Sequence, residues 1–168
     1  VCVERCYGMS HFITDFANVV KIPDVDLAAV DVNHLIASMI RFMEVMCLNR
    51  NITLTFHADE AMRPISLDAS LFEQVLLNII KNSVESINEG GDIILTTDAV
   101  EGTLEIADNG KGISKEVEQK LFSPFFSNKP KGQGIGLLFV REVLSQHGFR
   151  YSLQTYPNGW TRFIIRFR

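Results

Sequence analysis

The stretch Leu71–Ile87, LFEQVLLNIIKNSVESI, constrains this chain more than any other. Phe72, Val75, Leu76, Ile79, Ile80, Val84 and Ile87 recur at helical spacing, which predicts an amphipathic helix packed on a core. Asn78, Asn82 and Glu85 follow one another at steps of four and three and form one polar stripe on that helix. Asparagine is a poor helix former and costs free energy when buried without partners. An ordinary solvated face is the plain alternative, and the helix alone does not choose between the two.

The 168 residues, 46% of them hydrophobic, suit one domain with a substantial core and a small appendage. A net charge of −4 leaves no broad basic footprint, which argues against nucleic acid as a partner. No apolar run approaches the roughly 20 residues needed to cross a bilayer, and the first residues lack the pattern of a signal peptide. Cys2, Cys6 and Cys47 are odd in number and form no CxxC pair, so reduced thiols and a cytoplasmic setting are expected.

In chain order, Cys2, Cys6, Met9, Ile13, Phe16 and Val20 alternate in steps of four and three, a heptad-like seam. Such a helix is too short to be stable alone and calls for a helical partner. Residues 1–22 are therefore expected to be the end of a stem helix, and 23–168 the main domain. Pro23 breaks the helix. Leu27–Val32 reads as a short strand. Leu35, Ile36, Met39, Ile40, Met43, Met46 and Cys47 mark a core-facing helix, with Asp31 or Asn33 as its cap. Strands are expected at Ile52–Phe56 and Pro64–Leu67, and Asp68 or Ser70 starts the asparagine-bearing helix. Asn88-Glu89-Gly90-Gly91 ends it. Two strands follow, Asp92–Asp98 and Thr103–Ala107, and two more, Tyr151–Thr155 and Thr161–Phe167, close the chain. Without regular βαβ alternation, the expected fold is a two-layer α/β (α+β) sandwich. About five strands of a mixed, mostly antiparallel sheet should pack on about three helices.

Three later segments suggest chemistry. Asp108-Asn109-Gly110-Lys111-Gly112-Ile113 follows directly on a strand. Its glycines permit close backbone approach, and a leading carboxylate can accept a hydrogen bond from an exocyclic amine such as that of adenine. A plain surface turn is the alternative. Gly132-Gln133-Gly134-Ile135-Gly136-Leu137 opens an apolar helical pattern, a setting that presents free N–H groups to phosphate. It is neither a Rossmann fingerprint nor a P-loop. Between the two lie Phe122, Phe125 and Phe126, which need burial against something, and Lys129 and Lys131. Of the two lysines, Lys129 is the preferred phosphate contact.

Taken together and in this order, Asn78–Asn82–Glu85, DNGKGI at 108–113, LFSPFFSNKP at 121–130 and GQGIGL at 132–137 resemble the catalytic ATP-binding domain of sensor histidine kinases. They correspond to that family's N box, first glycine box, F box and second glycine box. The resemblance covers about Leu27 to the end, and the F box followed by Ser-Asn-Lys-Pro points to a nitrogen-regulator-like group. Gyrase B, MutL and the ATP-dependent chaperones share the asparagine helix and glycine boxes. The resemblance implies ATP and Mg²⁺ as cofactors, with Asn82 as the metal ligand through its amide oxygen. Asn78 would align the site; efficient hydrolases carry glutamate there, and an asparagine cannot act as a general base. Asp108 would bind the adenine amine, Gly110 and Gly112 would shape the pocket, and Thr161 would support Asp108. Gly132, Gly134 and Gly136 would cradle the phosphates, and residues 126–133 would form a mobile lid that includes Phe126 and Lys129. Ile113, Ile135 and Leu137 complete the nucleotide-binding set, with Glu85 closing the polar stripe.

One family feature is missing. The phospho-accepting histidine lies in a His-Glu/Asp context followed by a proline, and His11, in SHFITDF, has neither. His34, His57 and His147 lack that context too. The resemblance therefore implies a fragment that binds Mg²⁺–ATP and donates its γ-phosphoryl group to a histidine on an upstream stem helix. It also implies a homodimer in the full protein and a response regulator as partner. The rivals are an autonomous ATPase of the gyrase or chaperone kind, opposed by Asn78, and a silent or anti-sigma-like interaction module, opposed by the intact Asn82 and glycine boxes.

Overall fold

The computed structural model describes residues 24–122 and 136–168. The proposed stem segment and the loop 123–135, with Phe126, Lys129, Gly132, Gly134 and Ile135, lie outside the described residues. The elements are β1 (Ala28–Val30), α1 (Val32–Leu48), β2 (Ile52–His57), β3 (Ile65–Leu67), α2 (Ala69–Ile87), β4 (Gly91–Asp98) and β5 (Thr103–Asp108). They continue as α3 (Lys115–Glu118), α4 (Gly136–Gln146), β6 (Arg150–Thr155) and β7 (Thr161–Arg166).

Both long helices begin where an aspartate can cap them. Asp31 is extended and its carboxylate accepts from His34 N at 3.1 Å, which satisfies a backbone donor of the first turn. Val32 is therefore the first residue of α1 and wholly buried, whereas the sequence reading had carried the preceding strand through it. Asp68 caps α2, taking Leu71 N on Oδ1 at 3.1 Å and Asp26 N on Oδ2 at 3.0 Å, so one carboxylate also anchors the start of the described chain. Asn88 ends α2 at φ 66° and ψ −65°, a three-residue turn closed by Glu89 N donating to Ile87 O at 2.9 Å.

The main sheet has the strand order β2-β4-β5-β7-β6. β2 and β4 are parallel, joined by a crossover through β3 and α2, and the other pairs are antiparallel. β1 and β3 form a separate antiparallel pair. This is the expected mixed, mostly antiparallel sheet of five strands with helices on one side. Successive residues of β4 alternate in burial, and Ile93 and Leu95 point inward with Leu104, Ile106, Phe163 and Ile165 of the neighbouring strands. The helices cover them with Ile36 and Met43 from α1, Phe72, Leu76 and Ile80 from α2, and Val140 and Leu144 from α4. On the opposite face Arg162 pairs with Glu105 at 2.9 Å. Phe122 meets Tyr151 at 5.0 Å and Phe163 at 6.3 Å between ring centroids and is half-buried against the core, a part of the burial expected of the three phenylalanines; Phe125 and Phe126 lie outside the described residues. Helix α3 has no helical period in the sequence; it is a single turn capped by Ser114, whose Oγ accepts from Val117 N at 3.3 Å.

Two carboxylates link this fold to acid. Backbone donors, first Ala99 N and then Ala61 N, hold the Asp59 carboxyl below its ordinary range, and Asp26 N does the same for Asp68 despite an opposing desolvation. A group whose pKa falls on folding stabilises the native state above its unfolded value of about 3.9 and stops doing so as pH falls through the folded value. The urea midpoint is accordingly expected to be level near neutrality and to drop below about pH 4. Asp59→Asn and Asp68→Asn should flatten that drop, and an unchanged acid limb in the double variant would refute the assignment.

Candidate functional site

Helix α2 lays out the site along its length. At one level Asn78 Nδ2 donates to Gln74 O at 2.9 Å, and Asn78 Oδ1 lies 3.3 Å from where a β-carbon on Gly136 would be. The asparagine thus faces the first residue of α4, the glycine-rich entrance to that helix. Asn82 is half-buried one turn further on, and Glu85 is half-buried beyond it. Next to Asn82, Ser83 is 5% exposed and its Oγ donates to Asp108 Oδ2 at 3.0 Å. At a rise of about 1.5 Å per residue, Asn78 and Ser83 stand about 7.5 Å apart along the axis.

Asp108 is the last residue of β5 and 5% exposed. Its Oδ1 accepts from Gly110 N at 3.0 Å, so each carboxylate oxygen receives a donor from a different element. Burial of a charge this deep is tolerable only with such donors. The loop that follows presses on the end of α2. A β-carbon on Gly110 would stand 2.8 Å from the Ser86 carbonyl carbon and 2.9 Å from Ile87 N, and Lys111 N donates to Ser86 O at 3.2 Å. Asn109 pins the same loop to β4, accepting from Asp92 N at 2.8 Å and donating to Asp92 Oδ2 at 3.1 Å.

The other side of the loop is held by β6 and β7. Gly112 turns at φ +77° against the Thr155 methyl, and Ile113 N donates to Thr155 Oγ1 at 2.7 Å. Thr155 Oγ1 meets Thr161 Oγ1 at 2.8 Å, and Thr161, 4% exposed, is paired with Asp108 in the β5–β7 register. Thr155 N donates to Glu118 Oε1 at 3.0 Å, which ties α3 to the same edge.

Asn78 and Gly136 therefore meet at one level of α2, and Asp108, Gly110, Gly112, Ile113 and Thr161 gather at the other. Leu137 packs on the core beside its neighbours in α4. Ser83, Thr155 and Glu118 were missed by sequence reasoning, which named Asn109 only as part of the Asp108–Ile113 segment. Ser83 alone left a signal there, as a polar residue beside the asparagine stripe of an apolar helix. No three His, Cys, Asp or Glu side chains cluster as a metal cage among the described residues. His34 and His57 are exposed, while His147 is occupied by the fold, with Nδ1 on Val143 O at 2.7 Å and Nε2 accepting from Asp68 N at 2.9 Å.

Residues 67–168 match the family described as histidine kinase-, DNA gyrase B- and HSP90-like ATPases. The chain belongs to this ATPase family. Its relatives in the family include the sensor histidine kinase ZraS of Klebsiella oxytoca, 30% identical over 168 residues that make up 98% of this chain and 36% of that protein. The sensory histidine kinase/phosphatase NtrB of Escherichia coli O157:H7 is 30% identical over 145 residues, 79% of this chain and 41% of NtrB, in keeping with the nitrogen-regulator-like resemblance. The chain thus spans about a third of the length of the curated relatives it matches first. The nucleotide-free catalytic domain of the histidine kinase ThkA superposes with a TM-score of 0.73 at 27% identity, covering 83% of this chain and 93% of that domain. ThkA in complex with the response regulator TrrA matches at a TM-score of 0.75 and 21% identity over 99% of this chain and 49% of that one, a likeness of fold alone. Every site residue within the described part of this ATPase domain falls inside the matched residues 67–168.

Proposed function

We propose that this ATPase-family domain binds Mg²⁺–ATP and, within a longer sensor histidine kinase, gives the γ-phosphoryl group to a histidine of a stem domain. Residues 1–22 would be the end of that stem and 23–168 the catalytic domain. The observation that carries the reading is the buried Asp108 carboxylate at the end of β5, held by Gly110 N and by Ser83 of α2, the helix that also turns Asn78 toward Gly136 at the start of α4. The proposed acceptor for the adenine amine and the first residue of α4 are thereby both in contact with one helix, α2. Asn82 sits between Asn78 and Ser83 in sequence. The lack of a carboxylate or histidine cage among the described residues suits a Mg²⁺ held mainly by phosphate oxygens and water, with one amide oxygen from Asn82. When bound, the metal neutralises phosphate charge.

Transfer of this kind breaks the bond between the γ-phosphorus and the bridging oxygen and forms a bond from that phosphorus to an imidazole nitrogen. ADP leaves and the imidazole proton goes to solvent. Positioning supplies most of the rate, so the domain needs no nucleophile of its own. Hydrolysis would need a base to activate water, and the Asn78 amide, donating to Gln74 O, cannot serve as one. ZraS and NtrB are named sensor kinases, and ThkA is known with a response regulator; a response regulator is proposed as the partner here too. No helix among the described residues is long and apolar enough to cross a membrane.

Calorimetric titration of the chain with ATP, with and without Mg²⁺, tests the reading. The wild-type protein should bind more tightly with the metal, and Asn82→Ala should lose that increment, about tenfold or more for a charge-linked contact. Equal affinities for the two proteins in the presence of Mg²⁺ would remove Asn82 from the site.

A further inference from the structure

Ser83 is the one buried polar side chain of α2, and the reading of Asn78, Asn82 and Glu85 as a functional stripe does not include it. A serine inside an apolar helix usually turns its hydroxyl back to the carbonyl one turn earlier. Here the hydroxyl leaves its own helix and donates to Asp108 Oδ2 at 3.0 Å, across 25 residues of sequence. The other carboxylate oxygen is held by Gly110 N, a donor from the very loop that Asp108 begins. Gly110 N fixes the carboxylate relative to its loop, and Ser83 fixes it relative to the helix that carries the asparagines.

We propose that Ser83 is a positioning residue for base recognition: its hydroxyl aims the Asp108 carboxylate and sets the affinity for a purine with an exocyclic amine at C6. This rests on the ATP-binding reading above and adds to it a determinant of specificity. Two features on α2 favour a directed role over general packing. Ser83 adjoins Asn82, so the base-side and metal-side groups sit on consecutive residues and move together. Ser86, one turn later, is where the loop from Asp108 lands, with Lys111 N on its carbonyl oxygen at 3.2 Å. Helix and loop are thereby held together, and the Ser83–Asp108 bond ties the carboxylate to the helix side of that frame. Removing the hydroxyl takes this donor from Oδ2 while Gly110 N still holds Oδ1, so the tie between the carboxylate and the helix is the part that is lost.

The test compares two ligands on each protein, because a purely structural loss weakens both alike. The full 168-residue chain, wild type and Ser83→Ala, is titrated with ATP and with purine riboside triphosphate, which lacks the C6 amine. The wild-type chain is expected to prefer ATP. In Ser83→Ala the ATP affinity should fall by about 5- to 10-fold while that for purine riboside triphosphate stays near its wild-type value, which shrinks the preference by the same factor. Ser83→Cys, similar in size and a weak donor, should lie between the two and serves in place of Ser83→Ala if that variant does not fold, as judged by circular dichroism. An unchanged preference ratio in either variant, with wild-type ATP binding intact, overturns the role of Ser83 and leaves the nucleotide reading standing. Wild-type protein that binds neither triphosphate overturns both.

Discussion

Asp108→Asn is expected to lower ATP affinity by at least about 100-fold and leave the domain folded. The substitution keeps the shape of the side chain but replaces one acceptor oxygen with an NH₂ donor. In the wild-type structure Oδ1 takes Gly110 N and Oδ2 takes the Ser83 hydroxyl. An asparagine that keeps its oxygen toward Gly110 N presents NH₂ to Ser83 and to the base. The hydroxyl can rotate to accept, but the adenine amine cannot, so two donors face each other in a site from which water is largely excluded. The unmade bond and the lost charge act in the same direction, which places this effect above that of Ser83→Ala. Titration with ATP measures it, and circular dichroism with thermal melting checks the fold. Retention of affinity within threefold would show that Asp108 does not read the base.

The parts of this site that were legible in the sequence are those that depend on local pattern. The apolar period of α2, its aspartate cap and the asparagine stripe are readable because a helix brings residues three and four apart onto one face. Asp108 and its glycines were readable because a strand followed by DNGKG admits few conformations. Ser83 and Thr155 depend on contacts 25 and 42 residues away in sequence, to Asp108 and Ile113; Ser83 shows in the sequence only as a polar residue beside the asparagine stripe, and nothing near Thr155 records its contact. The same holds for the parallel pairing of β2 with β4: both strands were visible, but which edge each would take is decided by the α2 crossover. Val32 was misplaced because an apolar residue after Asp31 fits a strand end as well as a capped helix start, and only the bond from His34 N separates them. Thr161 illustrates a partial reading. It lies opposite Asp108 in the register, and its hydroxyl meets that of Thr155, which also accepts from Ile113 N.

Gly110→Ala is expected to cost about 1–3 kcal/mol of stability, a fall in melting temperature of about 3–10 °C, together with most of the ATP affinity. The reason is not conformational freedom, because Gly110 is absent from the positive-φ glycines of the described chain. A β-carbon there would meet the Ser86 carbonyl carbon at 2.8 Å and Ile87 N at 2.9 Å, both backbone atoms of α2. Flexible side chains can yield to an added methyl group, whereas helix backbone yields only if the helix moves or the loop withdraws. The helix is held by the core through Val84 and Ile80, so the loop is the part that shifts. A shift of the loop takes Gly110 N away from Asp108 Oδ1, and stability and binding fall together. Gly90→Ala is the control. Gly90 turns at φ +69° with nothing within 4 Å of an added β-carbon, so its cost is backbone strain of about 1 kcal/mol with no change in ATP affinity. If Gly110→Ala melts with wild type, or loses stability while binding ATP normally, the contact between the loop and α2 does not set the position of Asp108.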